Sequence, residues 1–335
     1  MNTSKKIRKR RKLFISLLMI LFTGAILTTS TYAWFTANKT VTLSNIDINV
    51  AGANGLQVSV DGLNWKTLIS NADITGAATT YPKAVNQLPG GLENLVPIST
   101  VGDIDTTTGF MKMFKGEISS NTAGNFILSA TENKEVHGTA GAFIAFDLFF
   151  QLREATDVYL TSNSSIIAKN TSTGIENAGR VALINEGNVA TGSDIAVIQG
   201  LKATAAANNV FIWEPNYDVH TAAGVAYAKS TYGLTTTLTG GTALAYYGVK
   251  APILADKNIP LNSNDGLYFA QVSPSLTTPA SGILTTAYKL TFNLKAGVNK
   301  VRVYMWVEGQ DVDCENNASG GSVTYNLQFS TKTQA

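Results

Sequence analysis

Alternation of apolar and polar residues with a period of two recurs along this 335-residue chain and restricts its fold more than any other pattern. Near the C-terminus, Val301, Val303, Met305 and Val307 would share one face of a strand. Successive side chains of a strand point to opposite faces, so this spacing indicates a strand with one buried face. Other segments with the same alternation are predicted as strands at residues 40–50, 56–60, 288–294 and 323–329.

Residues 141–152 differ, because their apolar side chains follow one another almost without interruption. Such a segment is typical of a central strand that is covered on both faces. Helical signals are sparse, and Gly, Thr or Asn interrupts each of them. Many strands with few helices predict a mainly β protein, an antiparallel β-sandwich of jelly-roll type. We expect residues 34–335 to form one such domain, with an inserted middle region containing short helices at about residues 160–285.

The first 35 residues have the pattern of a bacterial export signal. Seven basic residues precede an uncharged apolar run at residues 13–35, which predicts one N-terminal helix. Thr31 and Ala33 are small residues at the positions that signal peptidases favour for a cut between Ala33 and Trp34. The run is also long enough to span a bilayer, so residues 1–33 are either a signal peptide or a signal anchor. We expect the segment to contact the membrane before processing, and the rest of the chain to lie outside the cell or on its surface.

The charge of the chain changes when this leader is removed. The whole chain has 25 basic and 23 acidic residues; without the seven basic residues of the leader, 18 remain and the net charge is near −5. The remaining chain has no basic excess, so we expect no nucleic-acid partner. Charged residues make up only 14% of the chain, against about 25% in typical proteins. A surface rich in hydroxyl and amide groups is common in extracellular β proteins.

No arrangement of residues in the sequence indicates an enzyme. The chain lacks the H-E-x-x-H, G-x-S-x-G and phosphate-loop patterns, and His137 and His220 are expected to be exposed loop residues. Cys314 is the only cysteine, which excludes an internal disulfide. The carboxylates close to it in sequence should raise the pKa of its thiol and lower its reactivity, so a buried structural thiol is expected.

Two candidate binding sites remain. One is a turn in which three acidic residues alternate, Asp311, Asp313 and Glu315. Clustered carboxylate oxygens favour calcium, and no other cofactor is expected. The alternative is a solvated acidic hairpin turn. Tyr304 and Trp306 lie on the strand face opposite Val303. They would form an aromatic surface for glycans, or else lie beneath the inserted segment.

Two parts of the chain resemble known exported proteins. Residues 29–36 (TSTYAWFT) and 46–50 (IDINV) resemble the start of TasA/camelysin-type proteins, and residues 306–314 (WVEGQDVDC) are similar to secreted Firmicutes proteins of unknown function. The resemblance implies a jelly-roll sandwich that serves as a surface or biofilm-matrix component of a Gram-positive-type cell. TasA-type proteins form fibres in which the freed N-terminal segment adds as a strand to the next subunit. Here that segment would be residues 34 to about 50.

Together these patterns predict an exported, non-enzymatic protein with a structural role at the cell surface or in the extracellular matrix. Self-association through the N-terminal segment is the expected partner interaction. The alternative is a membrane-tethered ectodomain that binds calcium or glycans. Some relatives of the resembled family are labelled peptidases, and the absence of H-E-x-x-H argues against that activity here.

Overall fold

The computed structural model describes residues 34, 40–51, 55–84, 86–92, 94–169, 172–203, 210–232, 246–261, 263–272, 276–277, 288–289, 292–315 and 318–331. Sixteen strands lie in these ranges: β1 (Thr42–Ala51), β2 (Gln57–Ser59), β3 (Leu68–Ile69), β4 (Phe114–Ser120), β5 (Phe126–Glu132), β6 (Ile144–Leu152), β7 (Tyr159–Leu160), β8 (Ser165–Ala168), β9 (Gly179–Val189), β10 (Val210–Glu214), β11 (Tyr246–Val249), β12 (Phe269–Val272), β13 (Leu276–Thr277), β14 (Tyr288–Lys289), β15 (Gly297–Val307) and β16 (Ser322–Ser330). The α-helices are α1 (Asn71–Gly76), α2 (Ile195–Gln199) and α3 (Ala222–Tyr232).

Two six-stranded sheets form the sandwich. Sheet 1 has the order β14-β7-β16-β1-β3, with β8 also paired to β16, and sheet 2 has the order β13-β10-β9-β15-β6-β2. Most neighbours are antiparallel, whereas β1 with β16 and β10 with β13 are parallel. The predicted mainly β, antiparallel fold with few short helices is therefore confirmed.

The alternating residues of β15 and β16 place one apolar face of each strand between the sheets. Val301, Val303 and Met305 of β15 belong to the same buried cluster as Tyr325 and Leu327 of β16. Burying one such side chain contributes about 1.5–3 kcal/mol to folding. The shared core is therefore what holds the two sheets face to face.

Sheet 2 is covered on its outer face as well, which explains the continuous apolar sequence of β6. Eight of the nine residues of β6 are buried. The outer face packs against a second cluster that includes Ile98, Met111 and Met113, together with Tyr246 of β11. The prediction of a central strand covered on both faces is confirmed for β6.

The covering segments do not form the single insertion expected at about residues 160–285. Strands β8, β9 and β10 lie within that interval, and they pair into the two main sheets. Two smaller two-stranded sheets lie outside the main sheets, β4 with β5 and β11 with β12. The covering elements therefore come from two separate parts of the chain.

A third apolar cluster joins these smaller sheets to α3. It contains Phe114, Leu128, Tyr227 and Val312, and it also contains Trp34, which is 2% exposed. The predicted N-terminal apolar helix and Ala33 lie outside the described residues. Among the described residues, no helix is long and apolar enough to cross a membrane.

Candidate functional site

The turn at residues 308–315, which we call the acidic turn, begins where β15 ends. The Glu308 N–H donates to the Ala178 carbonyl at 2.8 Å, and the Gly309 N–H donates to the Ile98 carbonyl at 2.9 Å. Within the turn, the Asp313 N–H donates to Asp311 Oδ1 at 2.8 Å, a local bond that favours tight turns. Glu308, Asp311, Asp313 and Glu315 are each at most 5% exposed. The expectation of a solvated acidic hairpin turn is therefore wrong.

Arg180 of β9 is the main counter-ion of the acidic turn. Its Nη2 bonds to Glu214 and Asp311, and its Nη1 donates to the Asn177 carbonyl at 2.7 Å. The guanidinium also lies over the Tyr246 ring, 5.3 Å from its centroid. Burial alone would lower the pKa of Arg180, but the carboxylates of Glu214 and Asp311 hold it above its usual value. Arg180 therefore stays charged inside the fold.

Asp313 links the acidic turn to the N-terminus of α3. Its Oδ1 accepts hydrogen bonds from the Thr221 N–H and hydroxyl, each at 2.8 Å, and its Oδ2 lies 2.8 Å from His220 Nδ1. A carboxylate at the start of a helix is favourable because the first backbone N–H groups and the helix dipole are positive there. The His220 side chain is only 6% exposed, so the expectation of an exposed loop residue is wrong for it; His137 is exposed.

The acidic turn and the neighbouring Glu214 contain more carboxyl groups than positively charged partners. Burial raises the pKa of Glu308, Glu214 and Glu315 to about 7 and also raises that of Asp311. Glu308 accepts hydrogen bonds from neutral donors, Trp306 Nε1 and the Gln310 N–H, both at 3.1 Å. Burial therefore favours the neutral form of these carboxyl groups.

The acidic turn does not bring its carboxylates together as metal ligands. Asp311 faces Arg180, whereas Asp313 faces His220 and Thr221. Among the described residues there is no group of three His, Cys, Asp or Glu side chains that could hold a metal ion. The sequence spacing of Asp311, Asp313 and Glu315 suggested calcium, but Asp311 turns towards Arg180, whereas Asp313 and Glu315 both lie near the Thr221 hydroxyl.

Cys314 is buried in the acidic turn as expected. It is 0% exposed, and burial raises the pKa of its thiol, with Asp311 and Glu308 raising it further. The backbone N–H of Trp34 faces the sulfur atom. A thiol in such surroundings is a poor nucleophile because little of it is ionised.

Tyr304 and Trp306 do not form an aromatic surface. Both are 0% exposed in the cluster on the outer face of sheet 2. The Met111 N–H donates to the Tyr304 hydroxyl at 3.0 Å, and Trp306 Nε1 donates to Glu308. The glycan surface predicted at these residues is therefore wrong, and they lie beneath the covering segments.

A second buried ionic cluster was not predicted from the sequence. Lys300 and Arg302 of β15 pair with Asp147 of β6, and Lys300 also pairs with Glu186 at 3.0 Å. A cavity of about 200 Å³ lies beside these side chains. The one available signal was Asp147, the charged residue that interrupts the apolar sequence of β6.

Trp34, the residue after the predicted cleavage position, has its own pocket. Its ring lies against Gly116 and Gly309, where an added Cβ would come within 2.8 Å and 2.5 Å of ring atoms. Its Nε1 donates to Gln310 Oε1 at 3.1 Å, and Gln310 Nε2 donates to the Tyr247 carbonyl at 3.3 Å. The sequence identified Trp34 as a cleavage position and as the start of the donor segment, and it did not predict the burial of the side chain.

Comparisons with models of known protein families, with curated proteins and with solved structures find no match.

Proposed function

We propose that this chain is an exported structural protein of the cell surface or extracellular matrix, and that its copies join by donation of the N-terminal segment, residues 34 to about 50. Export is proposed from the leader sequence, and processing between Ala33 and Trp34 releases the segment. An uncleaved leader would hold the segment at the membrane. Processing is therefore the step that permits assembly.

The position of β1 is the observation that carries this proposal. β1 lies between β16 and β3, in parallel register with β16 from Thr42 opposite Ser322 to Ala51 opposite Ser330. Its side chains Ile46 and Ile48 are 0% exposed in the sandwich core. The first described strand of the chain is thus an internal strand of sheet 1.

An internal strand near a chain end can be exchanged between copies with little loss of contacts. A second copy that supplies β1 makes the same main-chain bonds to β16 and β3 and buries the same core side chains. When each copy gives its strand to the next and receives one from the previous copy, the contact is head-to-tail. Head-to-tail contacts that do not close into a ring produce a fibre.

A paired cysteine variant tests strand donation. Asp47 of β1 lies opposite Asn326 of β16, and directly paired strand positions are close enough for a disulfide. The mature Asp47→Cys/Asn326→Cys protein is assembled and oxidised, then run on a denaturing gel without reductant. We expect a ladder of covalent multimers from fibres and cross-linked monomers from dilute protein.

Matched controls separate donation from other contacts. Each single cysteine variant should give dimers at most, because Cys314 is buried. Fibres that yield only cross-linked monomers would show that β1 stays in its own chain. A mature protein that forms no fibres at high concentration would contradict the structural role itself.

Glycan binding by a tethered ectodomain is the second candidate, and a groove on the outer face of sheet 1 favours it. The groove has a volume of about 330 Å³, and Asn49, Asn163, Asn326 and Gln328 line it. Side-chain amides both donate and accept hydrogen bonds, as sugar hydroxyls require. Titration of the monomer with cell-wall oligosaccharides tests this function; saturable binding lost in Asn326→Ala, without fibres, would favour it over strand donation.

A further inference from the structure

Lys300 of β15 is a buried amine that lies between two carboxyl groups on the outer face of sheet 2. Its Nζ is 3.1 Å from Asp147 Oδ2 and 3.0 Å from Glu186 Oε2. All three residues are at most 6% exposed. The carboxyl carbon of Asp147 is one bond away from Oδ2, so the fold holds the amine and this carboxyl group close to the separation from which atoms react, about 3–3.5 Å.

The strand register fixes this arrangement, because β15 lies between β6 and β9. Asp147 of β6 is opposite Arg302, which makes it the diagonal neighbour of Lys300 on the same face of the sheet. On the other side of β15 the register with β9 shifts next to Lys300, and Glu186 is the extra residue of this β-bulge. Bulges redirect side chains and are frequent beside active sites. The two carboxyl groups therefore reach the amine from both neighbouring strands.

Both oxygens of Asp147 also accept hydrogen bonds from other side chains. Arg302 Nη1 donates to Oδ1 at 2.6 Å, and the Tyr81 hydroxyl donates to Oδ2 at 2.9 Å. A cationic donor at Oδ1 would stabilise the negative charge that develops on this oxygen when a nucleophile adds to the carboxyl carbon. Arg302 also pairs with Glu135, so it keeps a counter-ion if Asp147 becomes neutral.

We propose that Lys300 and Asp147 condense to an isopeptide bond between β15 and β6, with Glu186 as the catalytic residue. Glu186 takes one proton from the ammonium, and the neutral amine then forms a bond from Nζ to the carboxyl carbon of Asp147. The bond from that carbon to Oδ2 breaks. Oδ2 leaves as water with a second proton from the nitrogen and the proton returned by Glu186, while the third proton stays on the amide. One ammonium and one carboxylate thus become one amide and one water molecule, without a co-reactant.

The buried surroundings set the rate of this reaction and favour its product. Burial raises the pKa of Glu186 to about 7, so its carboxyl group can accept and return a proton near neutral pH. Burial alone would lower the pKa of Lys300, but the carboxylates of Asp147 and Glu186 raise it above its usual value. The neutral amine is therefore rare, and we expect the bond to form slowly after folding. The amide replaces two buried charges and so removes their desolvation cost.

The bond does not depend on strand donation. β15 and β6 belong to sheet 2, whereas β1 belongs to sheet 1. A covalent link between β15 and β6 would keep the chain from residue 147 to residue 300 as a closed loop even in denaturant. A closed loop restricts the unfolded chain, as a disulfide does, and so stabilises the fold.

Intact mass and peptide mapping test the bond in the purified full-length chain, after incubation for several days in neutral buffer. We expect an intact mass that is lower than the sequence mass by one water molecule. Digestion with trypsin should give a branched peptide that joins Lys300 to Asp147, without a cut after Lys300. A full sequence mass, or a loss of water without this branched peptide, would overturn the inference.

Three variants assign the roles of the side chains. Lys300→Met removes the amine and should keep the full sequence mass, and Glu186→Gln should slow bond formation by at least about a hundredfold. Lys202→Met is the matched control, because Lys202 lines the cavity beside this cluster but is exposed and bonds to the Thr107 carbonyl. It should form the bond as the unaltered chain does.

The outcomes separate the bond from its catalyst and from the proposed function. A bond that forms equally fast in Glu186→Gln would reject the catalytic role of this residue. If the variants do not fold, the mass and the branched peptide of the unaltered chain still decide whether the bond exists. All measurements use dilute, unassembled protein, so a bond in a protein that never forms fibres would leave this inference standing and reject strand donation.

Discussion

Arg180→Met tests whether one guanidinium holds the acidic turn in the folded protein. Arg180 is 0% exposed and pairs with Glu214 and Asp311, while methionine is neutral and of similar length. Removing one partner of a buried ion pair costs about 3–5 kcal/mol, because the remaining charge is left uncompensated. We expect a loss of that size in the free energy of unfolding at pH of about 8.

The loss should increase with pH. Burial raises the pKa of Glu214 to about 7 in the presence of Arg180, and burial also raises the pKa of Asp311. A carboxyl group whose folded pKa is raised contributes stability that is fully present below its unfolded pKa and is lost as pH rises through the folded pKa. Without Arg180 the folded pKa values rise further, so this loss continues above neutral pH, by up to about 1.4 kcal/mol per pH unit for each carboxyl.

Urea unfolding followed by tryptophan fluorescence, at pH values of about 6, 7.5 and 9, measures the effect. Arg153→Met is the matched control, because Arg153 is exposed, and it should change stability by less than about 0.5 kcal/mol. Adding Glu214→Gln and Asp311→Asn to Arg180→Met should recover part of the loss and remove its additional pH dependence. A loss that is equal at all three pH values, or that the neutralising changes leave intact, would refute this reasoning.

Three further changes test other contacts of the acidic turn. Trp306→Phe should cost about 1–3 kcal/mol in urea unfolding, because it leaves a buried Glu308 oxygen without its donor; an unchanged stability would contradict this hydrogen bond. Asp313→Asn should weaken the start of α3 by about 0.5–2 kcal/mol, seen as faster amide hydrogen exchange in α3 than in β16. Millimolar calcium should leave the melting temperature unchanged, because the carboxylates of Asp311 and Asp313 already have partners; a rise that Asp313→Asn removes would restore the calcium hypothesis.

Strand positions followed from the sequence where burial imposes a period on the side chains. The alternation in β15 and β16 and the continuous apolar sequence of β6 both predicted the observed burial. The pairing of the strands could not be predicted from the sequence, because pairing depends on contacts between residues far apart in the chain. The parallel pair of β1 and β16 joins strands that are about 280 positions apart in the sequence, and no local sequence pattern indicates that they pair.

The candidate sites were harder to predict for the same reason. The acidic turn looks solvated in sequence because its counter-ion, Arg180, is 131 positions away from Asp311. The alternation of β15 shows that Tyr304 and Trp306 face away from the sandwich core, but it does not show that residues near Ile98 and Met111 cover them. Trp34 lies in a leader pattern, so its aromatic ring was interpreted as part of a cleavage signal and its packing was missed.

The N-terminus of the protein recovered from the cell surface tests the central claim most directly. Intact mass and N-terminal sequencing identify it without assumptions about assembly. The account predicts a chain that begins at Trp34, so that the strand-donating segment is free of the leader. A surface protein that still carries residues 1–33 would contradict the account, since the leader would hold the segment at the membrane and prevent strand donation.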